Sequence, residues 1–308
     1  MHLRTISNCI EKQQSILMEG ALGERLKREY GLTFDNEVAM AKLIYDANGR
    51  MALKNIWQEY IDIAKKHSLP FLAATPTRRG NRERVERAGC NSSIIYDNVQ
   101  FLRSIQEENN LEMYVGGLMG CKGDAYTGEG ALSENQARLF HKWQADLFCE
   151  AKADFLFAGI MPTLPEANGM AQAMSETGIP YIISFTIQKD GKLIDGTTIS
   201  EAITSIDRSV DNKPMCYMTN CVHPNILYKA LSQPFNQNSM VKKRFLGIQA
   251  NTSPLSYDEL DNSLDLKCSE PHQFAEDMLK LRYISNIKIF GGCCGTDGRH
   301  MEQVAAGL

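Results

Sequence analysis

Residues 154–160 read Asp-Phe-Leu-Phe-Ala-Gly-Ile (DFLFAGI) and are apolar almost without a break. A strand with one wet face alternates polar and apolar residues. A continuous apolar run of this length belongs to a strand covered on both faces, the habit of parallel sheets. Just before it lies Ser133–Ala153, where Ala137, Phe140, Trp143, Leu147 and Ala151 recur at helical spacing. Seven further runs repeat the pattern: Ser15–Gly20, Pro70–Thr75, Met113–Gly120, Pro180–Ile187, Lys213–Cys221, Arg244–Asn251 and Asn286–Cys294. Their starts follow one another at a mean step of about 39 residues. Eight strand–helix units in one chain fit a closed (β/α)8 TIM barrel better than an open doubly wound sheet. The expectation is a single α/β barrel domain over 1–308. The long step from Gly20 to Pro70 leaves room for an elaborated loop and a helix over Ala52–His67. A second insertion, Ser256–Ser269, is rich in Asp and Leu.

Composition narrows the function classes. With 43% hydrophobic and 23% charged residues, the chain has ample material for a core. A net charge of −4 gives no reason to expect nucleic acid or an anionic membrane as partner. No apolar stretch within Met1–Gly20 is long enough for a signal peptide, and no run approaches a membrane span. A cytoplasmic location is expected. The chain has nine cysteines, an odd count, and Cys293 and Cys294 are adjacent, poorly placed to pair with each other. All nine read as reduced thiols.

In such a barrel the chemistry lies where strands end, on loops at their C-terminal face. Those positions include Glu19-Gly20, Thr75-Pro76-Thr77, Gly120-Cys121-Lys122, Gly159-Ile160-Met161-Pro162, Asn220-Cys221-Val222-His223, Asn251 and Gly291–Gly295. Three thiolates at Cys221, Cys293 and Cys294 would suit a soft or borderline ion, most plausibly Zn2+, and leave a fourth position open for substrate. A substrate thiol entering there would be deprotonated at neutral pH. The competing reading is that these are small core residues. It holds for Cys9, Cys90, Cys149, Cys216 and Cys268, and Cys216 should face away from Cys221. His223 is a substitute ligand or an ordinary loop histidine, and Cys121 a marginal site residue. Glu19 is either a substrate contact or a capping carboxylate. Gly291–Gly295 lacks the Gly-Lys-Ser/Thr ending of a phosphate loop, and no GxGxxG follows the first run, so nucleotide binding is not expected.

These stretches together resemble the homocysteine S-methyltransferases. Gly291-Gly292-Cys293-Cys294-Gly295-Thr296 looks like the family's closing Gly-Gly-Cys-Cys-Gly. Asn220-Cys221 resembles its upstream Asn-Cys, Ala250-Asn251 its seventh-strand asparagine, and Glu19-Gly20-Ala21-Leu22-Gly23 its opening motif. The resemblance implies zinc on Cys221, Cys293 and Cys294, substrate contacts from Glu19, Gly20, Thr75 and Asn251, and methyl transfer to a thiol. Departures are equally specific. The opening aspartate is Glu19 here, and the glutamate that grips the amino group of homocysteine in the family is Gly159. Thr75-Pro76-Thr77 stands for Thr-Asn-Thr.

The expected function is therefore a zinc-dependent S-methyltransferase. It would move a methyl group from a sulfonium, quaternary amine or similar donor to homocysteine or a related thiol. The alternative is a zinc- or thiol-binding barrel paralogue without chemistry. Small molecules are the expected partners, with room for a corrinoid protein as methyl carrier. Folate and cobalamin modules are not expected within the chain, nor a long dimerisation arm after Cys294, and the oligomeric state stays open.

Overall fold

The computed structural model describes residues 5–253 and 269–308. Eight parallel strands close into a barrel in sequence order: β1 Ile16–Met18, β2 Phe71–Ala74, β3 Met113–Gly120, β4 Phe155–Met161, β5 Tyr181–Phe185, β6 Cys216–Val222, β7 Phe245–Ala250 and β8 Ile289–Gly292. Closure runs through Ile16 opposite Ile289 and Leu17 opposite Phe290. Every strand falls inside or within one residue of its expected apolar run, because being covered on both faces is what made each run legible.

Alternation along the strands sorts their side chains into two cores. Ile16, Met18, Leu72, Phe155, Phe157, Cys216, Met218 and Ile289 fill the barrel interior. Leu17, Phe71, Leu156, Tyr217 and Phe290 point outward and pack under the helices. The expected helix of the first long connection is Ala47–Lys66, capped by Asp46 accepting from the Gly49 N–H. The helix before β4 is Glu134–Glu150, opened by a Ser133/Gln136 capping box. One element was not foreseen. Helix Ile6–Lys12 places Ile6, Cys9 and Ile10 in the interior core, and Lys288 ties its Ile10 and Gln13 carbonyls to the N-terminal end of β8. Of the expected insertion Ser256–Ser269, only Ser269 is among the described residues. No helix among the described residues is long and apolar enough to cross a membrane.

Candidate metal and substrate site

Cys221, Cys293 and Cys294 come together at the barrel mouth, with their three sulfurs within 4.8 Å of one another. Simple alternation would turn Cys221 outward, since Cys216 and Met218 point inward and Tyr217 packs outside. It escapes because its backbone is left-handed, φ 55°, at a register shift between Asn220 and Val222. β4 carries the same device: Ile160 has φ 59° at a shift between Ala158 and Met161. Such a backbone costs a residue with a side chain of order 1–3 kcal/mol, most for a β-branched one. The buried Asn220 holds both bulges, accepting from the Ile160 N–H at 3.2 Å and donating to Gln249 Oε1 at 2.5 Å.

The β8 side is shaped by glycine. Gly295 has φ +83° and donates its N–H to Glu24 Oε2 at 2.7 Å. At Gly292 a Cβ would lie 2.3 Å from Thr296 Oγ1, so no larger residue fits beside that threonine. Thr296 Oγ1 donates to the Cys293 carbonyl at 2.7 Å and accepts from the Ala21 N–H at 3.0 Å. Between the two cysteine-bearing segments lies Asn251. Its Nδ2 donates to the Cys221 carbonyl at 2.8 Å, and its Oδ1 accepts from the Cys294 N–H at 3.1 Å. Asn251 is thus a clasp across the cysteines, with both ends of its amide occupied by their backbones.

Two expectations about cysteine need comment. The structure brings the sulfurs of Cys221 and Cys293 into direct contact, a pairing that the reading of nine separate thiols does not anticipate. Their Cα atoms are 5.6 Å apart, which is disulfide distance, so a cradle that gathers thiols for a metal also permits their oxidation. Cys9 and Cys216 are buried packing residues, and burial pushes both thiols up to about 12, far from thiolate formation at neutral pH. Cys90, Cys121 and Cys149 are free and partly buried, and Cys268 lies outside the described residues. His223 stays out of the cluster: it caps helix Pro224–Leu231, its Nδ1 accepting from the Asn225 N–H at 3.2 Å.

The remaining expected contacts lie at the ends of β1 and β2, the next two strands round the barrel from β8. Glu19 is buried at the end of β1, both carboxylate oxygens within 3.1 Å of the Ala74 N–H. Burial pushes its carboxyl up to about 8, only partly opposed by the Ala74 hydrogen bond. Gly20 sits against Tyr60, where a Cβ would come within 2.5 Å of the phenol oxygen. Thr75 is fully buried, and its hydroxyl is engaged by Thr77 at 2.7 Å and by the Leu118 N–H at 3.1 Å. Its place is in the wall between β2 and β3. At Gly159 a Cβ would lie 2.8 Å from Leu118 Cδ1, so Leu118 occupies the space next to the missing glutamate side chain.

Residues not singled out from sequence complete the rim. Arg78 and Arg79 follow the end of β2, and they line a cavity of about 220 Å3 with residues of the loop after β3, including Cys121, Lys122 and Asp124. The Arg78 stem packs on Gly120, and its charge acts on Cys294, Cys121 and Asp124. Reading two residues past Thr77 would have found them.

Comparison with known proteins agrees with this architecture. The sequence profile of a family described as homocysteine S-methyltransferase matches residues 16–308. Homocysteine S-methyltransferase YbgG of Bacillus subtilis (strain 168) is 23% identical over 193 residues, 60% of this chain and 56% of the relative. Betaine–homocysteine S-methyltransferase 1 of Danio rerio is 26% identical over 191 residues, 57% of this chain and 46% of the relative. The matched stretches thus span about half the length of these curated relatives. Among solved structures, the homocysteine methyltransferase MmuM from Escherichia coli in its metallated form superposes with a TM-score of 0.76 at 18% identity. That match covers 96% of this chain and 97% of MmuM, which has also been solved in oxidised and apo forms. With the closed barrel and a profile match from β1 to the last residue, the chain belongs to the homocysteine S-methyltransferase family.

Proposed function

We propose that the protein is a zinc-dependent S-methyltransferase acting on the thiol of homocysteine or of a related small molecule. The observation that carries this reading is the cysteine cluster at the mouth, three soft donors within 4.8 Å of one another and clasped by Asn251. Three sulfur donors, which alone make up the cluster among the described residues, match the preference of zinc for sulfur, and three protein ligands leave one position for substrate. Zinc bound there would supply the Lewis acidity that makes a substrate thiol nucleophilic at neutral pH.

The chain's own residues do the rest. Cys221, Cys293 and Cys294 fix the place of the acceptor sulfur, while Asn251 and Thr296 hold the cysteine backbones. The barrel mouth brings acceptor and donor into line, so much of the rate gain comes from proximity and orientation. Methyl transfer itself calls for no general acid or base. Glu19, Gly20 and Thr75 are assigned to the substrate half: Gly20 and Thr75 shape its wall, and Glu19 is the carboxylate available to an incoming ammonium. A buried carboxyl held near 8 would ionise more readily once a cation docks beside it. We further assign the whole chain to one barrel domain and its action to the cytoplasm.

The test supplies reduced, zinc-loaded protein with homocysteine and with desamino thiols, each paired in turn with sulfonium, quaternary amine and methyl-corrinoid donors. S-methylated product is expected from at least one pairing. Failure of every pairing by protein that retains zinc would leave a metal- or thiol-binding barrel without chemistry.

A further inference from the structure

The arginines at the rim are unusual in their lack of partners. Arg84 reaches Glu37, its Nη1 within 3.5 Å of the carboxylate, and Lys122 pairs with Glu83 at 2.8 Å. The Asp124 carboxylate accepts from the N–H groups of Tyr126 and Thr127 at 2.8 Å, and it feels Arg78 without forming an ion pair with it. Arg78 and Arg79 are both partly buried, and among the described residues neither has an ion pair or a hydrogen bond. Burial pulls Arg79 below its ordinary value, and the neighbouring Arg84 and Arg78 pull it further. Glu37 and Asp124 offset these charges only at a distance, and adjacent cations partly withdrawn from water without a direct ion pair are costly, so a wall holding them is suited to receive negative charge. The planar guanidinium fork matches a carboxylate, sulfonate or phosphate, offering two parallel donors to two oxygens.

The location gives this cavity a role. It opens at the C-terminal ends of β2 and β3, on the same face of the barrel as the cysteine cluster. At the end of β4 stands Gly159, where the resemblance leads one to expect a carboxylate, with Leu118 beside it. Positive charge is present where substrate enters, and one negative group is missing.

We propose that Arg78 and Arg79 form an oxyanion subsite at the barrel mouth, which takes a carboxylate, sulfonate or phosphate carried by the thiol acceptor or by the methyl donor. The identity of those two molecules rests on the function proposed above; the subsite itself does not. A donor whose only charge is positive is repelled by this wall, so an anionic donor or an acidic thiol is favoured.

The experiment uses inorganic phosphate as probe, titrated calorimetrically into the reduced, zinc-loaded protein at low salt. Arg78→Met keeps the stem that packs on Gly120, Arg79→Met removes the second charge, and Arg82→Gln serves as a control outside the cavity. Each methionine variant should weaken phosphate binding by about 10-fold or more, the cost of a lost charged hydrogen bond. The control should leave it unchanged, and matched melting temperatures would show that the variants are folded. A repeat with saturating 3-mercaptopropionate locates the natural anion: competition with phosphate assigns it to the acceptor, and undisturbed phosphate binding assigns it to the donor. Phosphate that does not bind the wild-type protein, or binds both methionine variants equally well, overturns the subsite. Chelated protein should keep the phosphate site, so a failure of the metal-dependent function would be seen separately from a failure of this one.

Discussion

The two halves of the barrel mouth are made from the same kind of strand ends and have diverged to different degrees. On the β6–β8 side the cysteine backbones are held by side chains: Asn251 bridges Cys221 and Cys294, Thr296 holds Cys293, and Glu24 holds Gly295. On the β2–β4 side Gly159, where the resemblance implies a glutamate, is covered by Leu118, Thr75 is consumed in the wall, and Arg78 and Arg79 have no ion pair or hydrogen bond among the described residues. Three ligands around one point tolerate little displacement, whereas a surface that reads the rest of a substrate can change its charge and leave the barrel intact. On the function proposed above, the cysteine half would carry the chemistry and the β2–β4 half the choice of substrate.

The contrast is broken most severely at Asn251. Asn251→Ala leaves all three cysteines in place but frees the backbones that aim them. Metal affinity should fall by roughly 10- to 100-fold, as is typical when an outer partner of a metal site is lost. A zinc-chelator competition assay measures it. Unchanged affinity would mean that the cysteine half is rigid without its clasp.

The second prediction sharpens the other half. Gly159→Glu alone must push Leu118 aside, so it should gain little for homocysteine. Combined with Leu118→Ala, the new carboxylate has room, and homocysteine should bind about 10-fold tighter through a charged hydrogen bond. Equilibrium binding of homocysteine and 4-mercaptobutyrate reads the effect, which should be absent for the desamino thiol. Equal gains for both would place the ammonium elsewhere.

The smallest effect concerns Glu19. Its carboxyl is held near 8 in the folded protein against 4.5 when free, so between those values the folded state binds a proton that the unfolded chain has released. Stability therefore falls as pH rises through that window. Glu19→Gln does not titrate. Urea unfolding should find the variant close to wild type near pH 5 and more stable above pH 8, by on the order of 1 kcal/mol or more. A difference that does not vary with pH would show that Glu19 is ionised in the folded protein.

Much of this was legible in the residues, for definite reasons. A strand buried on both faces writes itself as an apolar run, so Met113–Gly120 was read to the residue. The glycines around Cys293-Cys294 signalled a sharp turn after β8. Backbone conformation was harder to read. Nothing in Asn220-Cys221 announces the left-handed residue that turns Cys221 into the mouth, because asparagine and cysteine are both at home in ordinary strands. The role of Asn251 was hidden for a related reason: an amide at a strand end looks like a ligand contact until its two neighbours are known. Arg78 and Arg79 went unread because charged residues after a strand are common, and their lack of partners is a property of the folded chain alone.

The central claim is that Cys221, Cys293 and Cys294 hold a metal on which a substrate thiol is activated. Calorimetry of homocysteine binding to reduced, zinc-loaded protein at pH 7, in buffers of different ionisation enthalpy, tests it most directly. An incoming sulfur must lose its proton to become a ligand, so close to one proton should be released per thiol bound. The release should vanish in Cys294→Ser, in which hydroxyl oxygen poorly replaces a soft donor. Thiol binding without proton release, or undiminished release from a variant with all three cysteines changed to serine, would contradict the account.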